Sequence, residues 1–239
     1  MIKLSFGGGT FQGLRGSTAI EDGWLNVDYP FPWYMNKKSR RNIDVECNFM
    51  ELGPIPYSDN TVDIIYTEHC IEHLTEIAVA HMFKEAHRIL VPGGGFRVSC
   101  PDADIAYNMY CDEKLERLGF DRKLLTATKE TELIDMLLTP LVGKVTDTDV
   151  KKLVVENTKE EFYKKLQNLL GDISKEEQER TPGYHISIWH FNKLESQLHD
   201  AGFANVSKSE SGASYMKAFR RPYLDRTAPE HSVYVECRK

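Results

Sequence analysis

The sequence predicts an α/β chain organised on a mostly parallel sheet, and three observations predict it. Short β-rich runs alternate with turns and with one run of helical spacing through the first part of the chain. A glycine cluster, Gly7-Gly8-Gly9, follows directly on the first of those runs, and an acid, Asp28, closes the second. After a long stretch of different character, two further β-like runs return near the end of the chain.

Each element has its own signal. Lys3–Phe6 is a short apolar run stopped by the glycines, Trp24–Val27 ends on Asp28, and Ile43–Cys47 is a third candidate strand. Val62–Tyr66 follows the turn Ser58-Asp59-Asn60, and Gly95–Cys100 ends at Pro101. Between the last two, Ile77, Ala80, Phe83, Ala86 and Ile89 recur at helical spacing until Pro92-Gly93-Gly94, which is read as the stop. Residues from about 104 to 184 are charged, poor in β-branched runs and helical in pattern, as in Lys159–Leu170; they read as a helical insertion. A helix pattern over Phe191–Asp200, a turn at Ala201-Gly202 and the runs Ala204–Lys208 and Ser232–Cys237 return the chain to the sheet. The expected organisation is one domain over 1–239, with a core of 1–103 and 185–239 and the insertion lying before the last two strands as a lid.

Composition narrows the function classes. The 239 residues are 41% hydrophobic, enough for a sizeable core. A net charge of -6 offers no electrostatic case for nucleic acid or an anionic membrane. No apolar run is long enough to cross a bilayer, and Met1–Phe6 run into the glycines with no signal-peptide layout, so a cytoplasmic location is expected. The five cysteines are scattered and never spaced Cys-x-x-Cys, which argues against a disulfide framework or a thiolate zinc site.

The glycines let the backbone turn tightly and bring free N–H groups close to a ligand. Asp28 stands about 20 residues further on, at the end of the next strand, where a doubly wound fold places a carboxylate that binds ribose hydroxyls. The full Gly-x-Gly-x-x-Gly fingerprint is not met: counted from Gly7 and Gly9, its third position is Gln12.

A further set of motifs runs in order along the chain: Gly7-x-Gly9, Gly23–Asp28, Ile55-Pro56-Tyr57-Ser58-Asp59-Asn60-Thr61-Val62-Asp63, Glu72-His73-Leu74, Glu85-x-x-Arg88-Ile89-Leu90-x-Pro92-Gly93-Gly94, Pro101-Asp102 and Leu198-x-x-Ala201-Gly202-Phe203. In order and spacing these resemble the class I S-adenosylmethionine-dependent methyltransferases, most closely the small type 11 group, over roughly 2–102 and 191–239. The resemblance implies a Rossmann-like methyltransferase fold with a seven-stranded, mostly parallel sheet, helices on both faces and an antiparallel final strand. It implies S-adenosylmethionine as cofactor, with Phe6, Gly7, Gly8 and Gly9 around its methionine end and Asp28 on its ribose. Glu51 and Leu52, or alternatively Asn48, would lie near the adenine, and Glu68 and His69 beside the methionine moiety and the methyl.

Methyl transfer is an in-line displacement, so alignment supplies much of the rate and a base helps when the acceptor is a hydroxyl or amine. His69, just past the fourth strand, is the first candidate; His185 and His190, where the insertion rejoins the core, are the others. Glu72 and His73 are read as bracing the turn beneath the cofactor loop. The expected acceptor is a small molecule or glycan-like compound methylated at oxygen, because Thr67-Glu68-His69-Cys70 stands where an amide- or base-methylating motif would be and no basic face is visible. Two alternatives stay open. His69-x-x-Glu72-His73 matches an inverted zinc-protease pattern, in which histidines at i and i+4 of a helix share a metal. Ser5 and Phe11, in an altered first loop, would suit a catalytically silent S-adenosylmethionine-binding protein.

Overall fold

The computed structural model describes residues 1–8, 22–31, 43–112 and 128–239. Seven strands form one sheet: β1 Lys3–Phe6, β2 Trp24–Asp28, β3 Val45–Glu46, β4 Val62–Glu68, β5 Leu90–Pro101, β6 Ala204–Ser209 and β7 Ser232–Arg238, in the order β3-β2-β1-β4-β5-β7-β6. β1 to β5 run parallel, while β7 is antiparallel to both of its neighbours, β5 and β6. The mostly parallel sheet with an inserted antiparallel last strand is as the sequence predicts. The order reverses at β1, from which the chain proceeds outward to β2 and β3 on one side and to β4 and β5 on the other. That reversal is where an α/β sheet opens a crevice at the carboxyl ends of its strands.

Alternation along the strands separates two buried faces. On one, Leu4, Phe6, Ile65, Phe96, Val98, Val233 and Val235 pack against helix α1, Glu76–Ile89, which contributes Val79, Met82, Phe83 and Ala86 at helical spacing. Thr75 caps α1, its hydroxyl accepting from Ala78 N at 3.3 Å. The helix stops at Ile89, before the Pro92-Gly93-Gly94 stop read from the sequence. β5 takes up the chain at once from Leu90 rather than at Gly95, and its ladder with β4 jumps from Val62–Leu90 to Ile64–Gly95, so the Pro-Gly segment is carried as an irregularity at the start of a strand.

The second face buries Trp24, Ile64 and Tyr66 beneath Phe219, Tyr223 and Leu224. It also buries a charge. Arg97, with no solvent exposure, donates from Nε and Nη2 to the two carboxylate oxygens of Asp225, at 3.1 and 2.6 Å, and from Nη1 to Glu236. Asp225 also accepts from the Tyr66 hydroxyl at 3.2 Å and from Gly212 N–H at 3.0 Å. This network pins residues 209–225 over the sheet.

Among the described residues, five α-helices lie between β5 and α7, Phe191–Asp200: α2 Ala103–Cys111, α3 Lys129–Leu137, α4 Asp147–Glu156, α5 Lys159–Leu170 and α6 Lys175–Arg180. Thr146 with Asp149, Thr158 with Glu161 and Ser174 with Glu177 form capping boxes that start the last three. The apolar faces of α2 to α5 meet in a separate cluster built on Leu133, Leu137, Phe162 and Leu166, joined by Ile188.

Removing Asp225 would leave the Arg97 guanidinium buried with one carboxylate. Asp225→Ala is expected to lower stability by about 3–5 kcal/mol, read as a fall in the urea midpoint at unchanged slope; an unchanged midpoint would contradict the role given to this pair.

Candidate active site

The crevice is built from strand ends. Gly7 leaves β1 with φ +61°, its N–H donating to Val27 O at 2.9 Å. A side chain there would be strained twice over, because a Cβ would sit 2.1 Å from the Cys70 sulfur. Gly8 N–H donates to Asn26 Oδ1 at 3.1 Å, so β2 holds the glycine turn in place. Asp28 closes β2, its Oδ1 accepting from Tyr29 N at 2.7 Å. At the end of β4 Glu68 accepts from Thr227 N at 2.7 Å. The chain then turns through His69, a non-glycine residue at φ +47°, a backbone state that surrounding structure must enforce. His69 N–H bonds Ser99 O at 2.9 Å, and a single 3-10 turn, Ile71–His73, follows.

Gly7, Gly8, Asp28, Asn48, Glu68 and His69 line one cavity of about 250 Å³. Tyr29, Phe31, Cys47, Phe49, Cys70, His73 and Leu74 complete its floor and walls, and Gln178, Pro182 and Thr227 close it from distant parts of the chain. The remaining predicted residues lie elsewhere. Phe6 is fully buried, packed on Phe49 with ring centroids 5.4 Å apart. Glu51 is exposed and paired with Lys175, and Leu52 is exposed. Asn48 caps the turn before them, its Oδ1 accepting from Met50 N at 3.0 Å and its amide donating to Glu179 at 3.1 Å. Gly9 and Phe11 lie outside the described residues.

The three candidate histidines separate. His69 is at the cavity, with Nε2 2.7 Å from the Ser232 hydroxyl and Nδ1 3.2 Å from Glu72 Oε1. Ser232 donates to Ala228 O at 2.8 Å, so Nε2 of His69 is the donor to Ser232. Burial lowers the pKa of His69, but the adjacent Glu72 carboxylate outweighs it and the net shift is upward. His185 does not line the cavity; its Nδ1 is 2.8 Å from Met136 O and its ring stands 5.1 Å from that of His73. His190 is apart from both, 5.4 Å from the Tyr163 ring, and burial lowers its pKa.

Glu72 is 2% exposed. Burial alone would raise its pKa, but His73 and His69 around it bring it down to about 2. The inverted zinc-protease geometry is not formed: residues 71–73 are a 3-10 turn rather than part of an α-helix, and Nε2 of His69 is engaged by Ser232.

Sequence reasoning missed Gln178, Pro182 and Thr227. Nothing local distinguishes them; each reaches the cavity through a long-range crossing of the chain. Cys47 ends the third predicted strand and Phe49 stands two residues beyond it, so the strand-end signal that points to Asp28 and Glu68 points to them as well.

Residues 26–98 match the family model of the methyltransferase domain. No curated relative matches the chain. Among solved structures, it is similar to an S-adenosylmethionine-dependent methyltransferase from Archaeoglobus fulgidus at 12% identity and TM-score 0.49, covering 99% of this chain and 85% of that one. It is also similar to one from Mesorhizobium loti at 16% identity and TM-score 0.45, covering 100% and 90%. Human N-acetylserotonin methyltransferase in complex with S-adenosylmethionine is a third, at 12% identity and TM-score 0.47, covering 100% of this chain and 47% of that one. The match over residues 26–98 agrees with the resemblance read from the sequence, the sheet order is that of a Rossmann-like fold, and the cofactor this similarity implies is S-adenosylmethionine.

The cavity suits that cofactor in its chemistry. It offers carboxylates at Asp28 and Glu68 for hydroxyls and cationic centres, and a glycine turn for close approach. Oε1 of Gln178 at its wall is buried with no hydrogen-bond partner among the described residues, an acceptor suited to a donor on a bound molecule.

Burial, reinforced by Glu51, Glu85 and Asp28, pushes the Cys47 thiol up to about 11. At pH 8 only about one in a thousand of its molecules is thiolate, the reactive form. Iodoacetamide at pH 8 should therefore label exposed Cys111 well before Cys47, and Cys47 labelling should rise about tenfold per pH unit up to pH 10. Peptide mapping by mass spectrometry reads both rates; equal labelling at pH 8 would contradict the upward shift of the Cys47 thiol.

Proposed function

We propose that the protein transfers a methyl group from S-adenosylmethionine to a small-molecule or glycan-like acceptor, at oxygen. The observation that supports this most directly is the convergence of Gly7, Gly8, Asp28, Glu68 and His69 on one cavity at the carboxyl ends of three adjacent parallel strands. Bound there, S-adenosylmethionine supplies an electrophilic methyl on a positively charged sulfur. In this reading Asp28 accepts hydrogen bonds from hydroxyls, the Gly7–Gly8 turn allows close backbone approach, and Glu68 sets a negative potential where cationic charge is carried.

His69 acts as a positioning residue. Both of its ring nitrogens face protein partners, Glu72 and Ser232, so it fixes the shape and charge of the β4 end rather than standing free to take a proton. The helical layer, which contributes Gln178 and Pro182 to the cavity wall, is assigned to acceptor recognition and to exclusion of water. The preference for oxygen rests on the residues after β4, Thr67-Glu68-His69-Cys70, and on the acidic balance of the chain.

Calorimetric titration with S-adenosylhomocysteine tests the cofactor half of this reading. Binding in the micromolar range, about -8 kcal/mol, is expected. Asp28→Ala should weaken it by about 10–100-fold, the loss of hydrogen bonds to a charged acceptor. No detectable binding to the wild-type protein would overturn the assignment, and unchanged affinity in the variant would remove Asp28 from it. The acceptor half is read separately, by methyl gain on a panel of hydroxylated small molecules and sugars.

A further inference from the structure

Behind the cavity wall, Glu72, His73 and His185 each bring a potential ligand atom to within 4.8 Å of the others. We infer that these three residues form a binding site for a single divalent transition-metal ion, with zinc the ion best matched to the donor set.

Three independent features support the site. The first is the carboxylate. Glu72 is only 2% exposed, and both of its oxygens are buried without a hydrogen bond to any backbone donor among the described residues; the ring of His69, its Nδ1 3.2 Å from Oε1, meets one oxygen and leaves the other unmatched. A buried carboxylate is retained where a cation or a set of donors compensates it.

The second is the tautomer of each histidine. Nδ1 of His73 lies 3.1 Å from Tyr184 O and Nδ1 of His185 lies 2.8 Å from Met136 O. A carbonyl oxygen only accepts, so both Nδ1 atoms are protonated, and the neutral form of each ring then presents its lone pair at Nε2. That is the outer-shell arrangement metal-binding histidines use, with the far nitrogen anchored on a backbone carbonyl and the near one free to ligate. Nε2 of His73 is 3.8 Å from Glu72 Oε1.

The third is spacing and donor type. Zinc bonds of about 2.0–2.1 Å in tetrahedral array set ligand atoms about 3.3 Å apart, so the cluster needs to contract by only about 1–1.5 Å. Two imidazoles and one carboxylate suit zinc rather than calcium or magnesium, and three protein ligands leave a fourth position for water or another ligand.

The site also joins two parts of the molecule. Glu72 and His73 belong to the turn after β4, whereas His185 belongs to the segment that leads from the helical layer back to the core. The backbone already links them, since Ile186 N and Ser187 N donate to Glu72 O at 2.7 and 3.3 Å. An ion held there ties the helical layer to the sheet beside the cavity that His73 lines. This ligand set differs from the His-x-x-Glu-His pattern of the sequence, because it replaces His69 with a residue distant in the chain.

The test uses the full chain stripped with a chelator, then titrated with zinc chloride against a chromophoric zinc indicator, with bound metal counted by mass spectrometry after desalting. One equivalent of zinc is expected, with a rise in Tm of roughly 5 °C or more at a hundredfold excess over Kd. His185→Ala and Glu72→Gln should each weaken binding by more than about 100-fold, beyond what loss of an outer-shell group costs. His199→Ala, exposed in the last turn of α7, should leave it unchanged. Glu72→Gln alters a buried residue, so circular dichroism is recorded for each variant; if that variant does not fold, His185→Ala decides. Cobalt(II) gives a second readout, an intense visible ligand-field band in the wild type that is absent from His185→Ala. No zinc equivalent in the wild type, or binding that survives His185→Ala, overturns the site. None of these readouts requires methyl transfer or cofactor binding.

Discussion

Glu72 places the strongest physical constraint on the functional end of this molecule. Its carboxylate is buried, so it must be compensated by what surrounds it, and what surrounds it is His69, His73 and His185. Its backbone carbonyl receives two N–H groups from residues 186 and 187, which brings the end of the helical layer against the sheet. One residue therefore sets both the electrostatics beneath the cavity and the seating of the segment that closes it. The left-handed backbone at His69 belongs to the same constraint: the turn out of β4 must place the His69 ring between Glu72 and Ser232.

The two sheet faces divide the labour. The face under α1 is apolar and held mainly by buried area. The opposite face is specified by Arg97, whose donors reach Asp225, Glu236, Ser209 and the Glu210 carbonyl. A planar guanidinium that meets this many acceptors permits few arrangements of the covering segment. That precision reaches the site, because the same stretch continues to Thr227, which orders Glu68, and to Ser232, which orders His69.

The cavity is thus assembled from parts of unequal origin. β1, β2 and β4 deliver Gly7, Gly8, Asp28, Glu68 and His69 as a consequence of the parallel topology itself. Gln178 and Pro182 come from the helical layer, and Thr227 from the C-terminal segment. A fold of this kind keeps a fixed cofactor end and varies its other wall through insertions, which is a physical reason to look for acceptor selection in the helices rather than in the sheet.

Much of this was legible in the chain. Strand runs bounded by glycine and proline, the helical spacing from Ile77 to Ile89 and the glycine–Asp28 interval depend on local backbone geometry and on period, which sequence records directly. The start of β5 was misplaced because pairing with β4 overrode the local Pro-Gly signal. The family resemblance implies Glu51 and Leu52, or Asn48, near the adenine; Asn48 lines the cavity, while the turn it caps carries Glu51 and Leu52 outward to solvent. The three histidines show the limit most clearly. His69, His185 and His190 were equivalent as residue types; only the packing of the helical layer put His185 beside Glu72 and His73 and sent His190 to Tyr163. Which strands form and where they end is a local matter that the sequence determined. Which side chains from distant segments meet at those ends is decided by tertiary packing, because burial and long-range hydrogen bonds leave no period in the chain.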